Sequence, residues 1–377
     1  MNYPELASIQ PVLDAIKDRR EFSICYHEGT SLASICYNIA DGNTFDDPLC
    51  REARGIMFNT DTLEVVLRPF HKFFNVGEKP ETQPDVIKKL LDNPQTKSIW
   101  PYHKTDGTMV AATIYNNELL VATKRKILKD PFYAKVGEVV RDIVSRYGDV
   151  TVVFEHAFHT LTKDHQHLLE YSENHLVLLA IRDNLTGEYI DTFSWEDDTT
   201  FGLQVECGDI RLMDFDIFSS WDEMMTVRET RQLFEGWVIQ VDGEFFKLKT
   251  DWYIKRHHLV GNLSERSIAK LVLGGTIDDA LAYLSIRFAN SPVLDQAKFA
   301  AEKVATDFKL WLSVIDEMVE RFDGVHMRDI VGQLDSADIE LLNQRRKTNI
   351  QYDWAGRFFK EFKHRYKCDL FVEWREE

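Results

Sequence analysis

Cysteine is sparse and unpatterned in this 377-residue chain. Cys25, Cys36, Cys50, Cys207 and Cys368 are scattered, odd in number and without C-x-x-C spacing. That excludes a disulfide framework and leaves free thiols in a reducing cytosol as the expectation. Long apolar runs are missing too: nothing reaches the length that crosses a bilayer, and no signal-peptide pattern, low-complexity tract or internal repeat is visible. The expectation is a cytoplasmic protein with no membrane partner. Positive charge is the third shortage. Against 62 Asp and Glu stand 45 Lys and Arg, a formal net charge of −17. Such a chain does not coat nucleic acid nonspecifically, because most of its surface repels phosphate. It can still grip a few phosphates through local patches, and three exist: Lys124-Arg125-Lys126, the stretch from Lys247 through Arg256, and Arg345-Arg346-Lys347.

What is present is an ordinary globular composition, 44% hydrophobic and 28% charged, in a chain long enough for two domains. Leu6, Ile9, Leu13 and Ile16 predict an opening amphipathic helix over 4–19. Alternating runs then predict strands at 21–27 with 34–39, 54–58 with 63–67, 98–103 with 109–115, and 119–123. Helices are predicted over 84–91, from Asp130-Pro131 to Tyr147 ahead of Gly148, and from a Ser220 cap to about Leu233. Val150 to Phe154 reads as a buried strand, followed by strands at 176–181, 188–192, 235–241 and 245–249. From about residue 255 strand signals vanish, and helices are predicted over 265–273, 278–288, 297–322, 336–346 and 353–366. The expected class is α+β. Residues 1–254 form a domain of antiparallel sheets with flanking helices, and 255–377 a small all-helical domain. The Phe358, Phe359, Phe362 and Tyr366 stripe reads as helix core.

Several residues carry chemistry rather than packing. Lys104-Thr105-Asp106-Gly107 places a lysine at a strand end, followed by an acid and a turn glycine. The strand at 150–154 delivers Glu155 at its end, beside many cations. Lys247 and Lys249 share one strand face by the period of two, and two adjacent cations imply an anion between them. Arg68 to Asn75 mixes cations and aromatics and reads as a core-facing strand with a surface lysine. Five histidines between His156 and His175 include His165-x-His167, but no second pair sits at finger-like spacing, so a polar loop is expected there rather than zinc.

In order, these residues resemble the covalent nucleotidyltransferases, the DNA ligases, RNA ligases and capping enzymes, and most closely the phage RNA ligase 1 type of the T-even single-strand RNA ligases. The resemblance covers about residues 35–255. It rests on Tyr37-Asn38, Arg54-Gly55-Ile56-Met57-Phe58, Lys72-Phe73-Phe74-Asn75, Lys104-Thr105-Asp106-Gly107, Phe154-Glu155, Glu235-Gly236 and Lys247-Leu248-Lys249-Thr250-Asp251-Trp252-Tyr253. Thr108 stands where such ligases often have serine, and Trp237 where tyrosine is frequent.

The resemblance implies an ATP-grasp-like nucleotidyltransferase domain, with the helical domain choosing the RNA. It also implies a three-step ATP-dependent ligation. Lys104 takes AMP from ATP, AMP moves to an RNA 5′-phosphate, and an RNA 3′-hydroxyl displaces it. Lys104, Lys249, Lys247 and Glu155 are the implied catalytic residues. Glu155 contacts the ribose and a metal-bound water, and Phe74 or its neighbour stacks on adenine. Gly107 lets the backbone approach the nucleotide, and Glu235-Gly236 lie close to nucleotide and metal. Arg54, Lys72, Lys124, Lys247 and Lys249 surround the phosphates, with Tyr37 nearby. The implied metal is Mg²⁺, with Mn²⁺ able to substitute, at Glu155, Glu235 and Asp278; Asp278 reads equally as a helix N-cap. The implied partners are single-stranded RNA ends, such as a cleaved tRNA anticodon loop in RNA repair, met by a monomer in the host cytoplasm if the source is a phage. A GTP-dependent mRNA capping guanylyltransferase and a non-enzymatic RNA-binding protein are the alternatives.

Overall fold

Pro11 decides where the first helix starts. In the computed structural model, which describes residues 3–40, 42–93, 96, 99–159, 169, 171–190, 210–256, 264–287, 292–330, 333–346, 353–363 and 366, α1 spans only Gln10–Ile16, with the proline in its first turn. The segment ahead of it is not helical, because its N–H groups are committed elsewhere: Leu6 to the Leu185 carbonyl (2.8 Å) and Ile9 to that of Leu63 (2.9 Å). Strands β1 (Phe22–Tyr26), β2 (Leu32–Tyr37), β3 (Arg54–Asn59) and β4 (Val65–Leu67) form a first antiparallel sheet in that order. Between β2 and β3 lies α2 (Pro48–Glu52), a short helix that periodicity cannot reveal; Asp47 caps it by accepting from Leu49 N at 2.8 Å.

The chain continues through β5 (Phe74–Asn75), α3 (Pro84–Leu91), β6 (Ile99–His103), β7 (Gly107–Tyr115) and β8 (Glu118–Ala122). The helix expected from Asp130 is split: a 3₁₀ turn over Pro131–Val136, capped by Asp130, leads into α4 (Gly137–Tyr147). Then come β9 (Val150–Ala157), β10 (His175–Asp183), β11 (Tyr189–Ile190), β12 (Ile210–Leu212), α5 (Trp221–Thr230), β13 (Gly236–Val241) and β14 (Glu244–Lys249). The second sheet runs β5-β14-β13-β6, and the third runs β11-β10-β9-β7-β8 with β12 on β10. After β14 every regular element among the described residues is helical: α6 (Asp251–Arg256), α7 (Glu265–Leu273), α8 (Ile277–Arg287), α9 (Pro292–Arg321), α10 (Met327–Ile330), α11 (Ser336–Arg346) and α12 (Trp354–Phe362). The fold is α+β, with antiparallel pairing predominant and a helical C-terminal region.

Alternation along the strands decides what each sheet face does. In β13 and β14, Trp237, Ile239, Phe246 and Leu248 pack outward under α3 and α5, against Ile87, Trp221 and Met224. In β7 and β9, Val110, Ala112, Val152 and Phe154 pack outward under α4. Both outer faces are thus sealed by helices, and the opposite faces of the two sheets look at each other. The helical region has its own core around α9, joined by Ile39 and Ile254, and the Phe358 to Tyr366 stripe packs within or against it.

A buried ionic cluster locks the first sheet to the third. Glu52, Arg68 and Arg182 have side chains no more than 1% exposed. Glu52 accepts from Arg182 Nη2 at 2.8 Å and Nη1 at 2.9 Å, and from Arg68 Nη2 at 3.1 Å. The remaining guanidinium donors reach main-chain carbonyls of Pro4, Pro69, Leu185 and Gly187. With the carboxylate shared by both guanidinium groups and nearly all of their donors used, the cluster escapes most of the cost of stranded charge.

Candidate active site

Between the facing sheets lies a cavity of about 620 Å³. Its cationic side chains are Arg54, Lys72, Lys104, Lys124, Arg125, Lys126, Lys247 and Lys249, against only three carboxylates, Glu155, Asp278 and Asp279. A chain of net charge −17 has therefore concentrated positive charge in one hollow, which suits a polyanion. Part of the lining is apolar, from Phe70, Phe73, Tyr189, Val238 and Phe245, with the Lys247 ammonium 5.5 Å from the Phe73 ring centroid.

Lys104 follows β6, and its N–H is fixed on the Gly236 carbonyl at 2.8 Å. Its Nζ lies 2.9 Å from Glu235 Oε1, the oxygen that Lys249 also approaches, at 3.1 Å. Lys249 in turn meets Asp279 at 2.8 Å. A chain of alternating charge, Lys104–Glu235–Lys249–Asp279, thus crosses the site. Burial alone would lower the Lys249 pKa, but Asp279 and Glu235 outweigh it and raise it above the usual lysine value. Lys247, two residues earlier on the same face, has no ion pair among the described residues. Burial, then Lys72, pushes its pKa down to about 8. The anion expected between the two lysines is supplied on one side by the protein's own Asp279; Lys247 is left open.

The remaining cations gather where the first sheet closes on the cavity. Gly55 has φ +97°, and a Cβ there would lie 2.8 Å from the Lys124 Cα. Only glycine lets the backbone after β8 come this close to β3, so Arg54 and Lys124 line one hollow. Tyr37 lies beneath the Lys124 ammonium, 5.8 Å from ring centroid to Nζ. Burial would raise its phenol, but Lys124, then Lys72 and Arg54, outweigh it and pull it down to about 8. Lys72 is not the expected surface lysine: it is 3% exposed, enclosed by the rings of Phe45 and Phe74, and paired with Asp278 and with Glu78 at 3.3 Å. Asp278 lies in the first turn of α8, so it neither caps the helix nor stands free.

Other expected site residues hold different positions. Phe74 is 3% exposed in the core beneath the first sheet, so Phe73 is the neighbour that lines the cavity. Gly107 lines the cavity, but its missing Cβ is needed on the other side, where it would lie 2.3 Å from the His156 carbonyl on β9. Glu155 lines the cavity from β9. Glu235 is 2% exposed and holds two lysines, while its Oε2 has no hydrogen-bond partner among the described residues. Asp106 faces away from this chemistry, accepting from Tyr253 OH at 2.9 Å and from Leu169 N at 2.9 Å, and so anchors the Lys104 turn. Asp279, Glu78 and Tyr253 were not picked out as site residues by sequence reading; lone acids and a tyrosine on helices or in loops carry no periodic signal. His165 and His167 lie outside the described residues, and among the described ones no group of three or more His, Cys, Asp or Glu could hold a metal.

A sequence profile for RNA ligase matches residues 52–253. The chain is 26% identical over 313 residues to a Thermovibrio ammonificans protein named "Putative RNA ligase", covering 80% of this chain and 76% of that one. It is 26% identical over 260 residues to RNA ligase 1 of bacteriophage TS2126, covering 65% of this chain and 61% of the relative. Among solved structures, an archaeal ATP-dependent RNA ligase aligns with a TM-score of 0.48 at 11% identity, over 82% of this chain and 78% of that one. The profile takes in every motif from Arg54 to Tyr253 around the cavity, and on that match the chain belongs to the RNA ligase family.

Proposed function

We propose that this RNA ligase is ATP-dependent and seals a 3′-hydroxyl to a 5′-phosphate through AMP carried on Lys104. The observation that carries the reading is a lysine amine in a hollow lined by seven further cationic side chains and by aromatic rings. The triphosphate lies among Arg54, Lys72, Lys124, Lys247 and Lys249, and adenine lies against Phe73, whose ring also carries the Lys247 ammonium at 5.5 Å. Glu155 is left for the ribose.

For attack, the Lys104 ammonium gives up its proton to water in the open cavity, and the freed amine turns from Glu235 to the nucleotide. The N–P bond to the α-phosphorus then forms as the bond to the β-phosphate oxygen breaks and pyrophosphate departs. Lys249 stays beside Glu235, exchanges Asp279 for the departing phosphate and neutralises its charge. An oxygen of the RNA 5′-phosphate next attacks the AMP phosphorus and Lys104 leaves. Finally the 3′-hydroxyl attacks the 5′-phosphate and AMP departs. The same cations serve each step, because each develops charge on phosphoryl oxygens.

A divalent ion, Mg²⁺ or Mn²⁺, fits the donor set in the water-rich manner of Mg²⁺, which takes one or two carboxylates plus substrate phosphates. Glu155 faces the cavity and would hold it through a bound water, whereas Asp278, like Glu235, is paired with lysine. When bound, the ion neutralises phosphate charge. The substrates are single-stranded RNA ends, a cleaved tRNA anticodon loop among them, met by a monomer in the cytoplasm. We place the domain boundary at 254/255, with the helical part steering RNA choice.

The test is single-turnover labelling with α-labelled ATP or GTP, followed by a chase with 5′-phosphorylated RNA. ATP alone should label the protein, and the label should pass to RNA. Labelling by GTP instead would indicate a capping-type enzyme, and no labelling with intact RNA binding would reduce the protein to a binder.

A further inference from the structure

Residues 124–135 carry five cations, Lys124, Arg125, Lys126, Lys129 and Lys135, against one acid, Asp130. Asp130 is exposed and caps the following turn, accepting from Phe132 N at 2.8 Å. The ATP reading absorbs Lys124 among the phosphate-binding cations, and Arg125 is tied down by bonds to the Tyr37 carbonyl (3.1 Å) and Asn38 Oδ1 (2.8 Å). Lys126 lines the cavity yet is exposed, so it stands at the mouth. Lys129 is exposed three residues further on, and among the described residues neither lysine has an ion pair. Lys88, Lys89 and Arg211 sit against carboxylates, whereas Lys17 and Lys298 are exposed without an ion pair among the described residues, so it is the place at the cavity mouth that sets Lys126 and Lys129 apart.

The local backbone is well fixed. Thr123 N donates to the Lys126 carbonyl at 2.9 Å, Leu128 N to that of Val121 at 2.8 Å, and Ile127 bridges Ala122. The segment then turns into the 3₁₀ turn whose Phe132 stacks on His156 at 4.5 Å. His156 is paired across to Thr108, the residue after the Lys104 turn. The basic segment therefore runs from the mouth along the sheet edge to the end of the sheet that carries Lys104.

We propose that Lys126 and Lys129 seat the backbone of the RNA strand that carries the 5′-phosphate. The inference rests on the ligase reading. AMP transfer requires that phosphate among the cavity's cations, next to Lys124, and the strand attached to it then leaves over the turn to which Lys124 belongs. Two unpaired, solvated ammonium groups on a fixed strand suit phosphates and carry no base preference, as an enzyme for varied RNA ends requires.

The experiment uses the full chain as wild type, Lys126→Glu with Lys129→Glu, the same pair as Gln, and a control with Lys17→Glu and Lys298→Glu, two exposed lysines elsewhere. Two reactions are read: AMP transfer from ATP to protein, and RNA-adenylate formation on a 5′-phosphorylated oligoribonucleotide with a blocked 3′ end. Because Lys126 also lines the ATP cavity, the RNA step of each variant is read from pre-adenylylated protein, which divides out any change in AMP transfer from ATP. At subsaturating RNA and about 0.1 M salt, RNA-adenylate formation should fall about tenfold or more in the Glu pair and less in the Gln pair, with the control near wild type. The slope of log affinity against log salt should flatten by about 1.4 in the Gln pair, since each single-strand contact contributes about 0.7. Wild-type kinetics and salt slope in both pairs would overturn the proposal. So would a defect confined to sealing of pre-formed RNA-adenylate, which would assign these lysines to the 3′-hydroxyl strand. Failure of the wild type to take AMP would instead sink the ligase reading, so the two failures are separable.

Discussion

Lys247 and Lys249 share a strand face but not an electrostatic state. Lys249 is held by Glu235 and Asp279, whereas Lys247 is desolvated beside Lys72, with its pKa near 8 against an ordinary 10.5. The unfolded chain keeps this proton up to about 10.4, so the charge opposes folding fully below about pH 8, and the cost fades as pH rises to about 10.4. Lys247→Met should therefore raise the melting temperature at pH 7, by the equivalent of roughly 1–2 kcal/mol, while impairing adenylylation. Scanning fluorimetry beside single-turnover labelling checks this; a lower melting temperature would mean that the charge is already compensated. Wild-type adenylylation should likewise decline above about pH 8. Glu52 has the opposite sign. Burial favours its neutral form, but Arg182 and Arg68 outweigh that and hold it at about 2. Its contribution is present above the ordinary carboxyl range and is lost as pH falls toward about 2. Glu52→Gln strands two buried guanidinium groups and should cost about 3–5 kcal/mol in urea unfolding at pH 7, a gap that closes in acid.

At the scale of elements, the sites that matter are close approaches. Gly55→Ala would place a methyl 2.8 Å from the Lys124 Cα at φ +97°, forcing β3 and the 123–126 turn apart. The protein should lose about 1–3 kcal/mol and much of its ATP affinity, because Arg54 and Lys124 no longer converge. Full ATP affinity in a folded Gly55→Ala would contradict that reading of the glycine. The first turn of α8 brings a second approach, with Asp278 on Lys72 and Asp279 on Lys249, carboxylates standing where phosphate oxygens would bind. Asp279→Asn should lower thermal stability yet reduce the ATP KM several-fold, since it removes an internal competitor. A raised KM with lost adenylylation would show Asp279 acting in the chemistry.

These elements also show what the sequence makes legible. Strand pairs such as β13 and β14 announce themselves by alternation and an Asp-Gly turn, and Lys104 by its motif. The non-helical residues before Pro11 are set by bonds to Leu185 and Leu63, distant in sequence, and the 3₁₀ turn ahead of α4 is tied to β9 by Tyr133 OH and His156 Nδ1, 2.9 Å apart. Phe74 and Phe73 could not be told apart without knowing which face the short β5 buries, and Asp279 is visible only once α8 is docked.

In the molecule as a whole, two helix-backed sheets enclose a cationic hollow, the first sheet closes one side, and the helical region lends it Gly275, Asp278 and Asp279. The helical part thus lines the candidate active-site cavity as well as being the expected reader of RNA. The central claim is that all of this is arranged around one amine. It is tested most directly by intact mass and peptide mapping of the full chain after incubation with ATP and Mg²⁺, beside Lys104→Ala. The account predicts one added AMP, confined to the Lys104 peptide and absent from the folded variant. An adduct on another residue, or one that survives in Lys104→Ala, would contradict it.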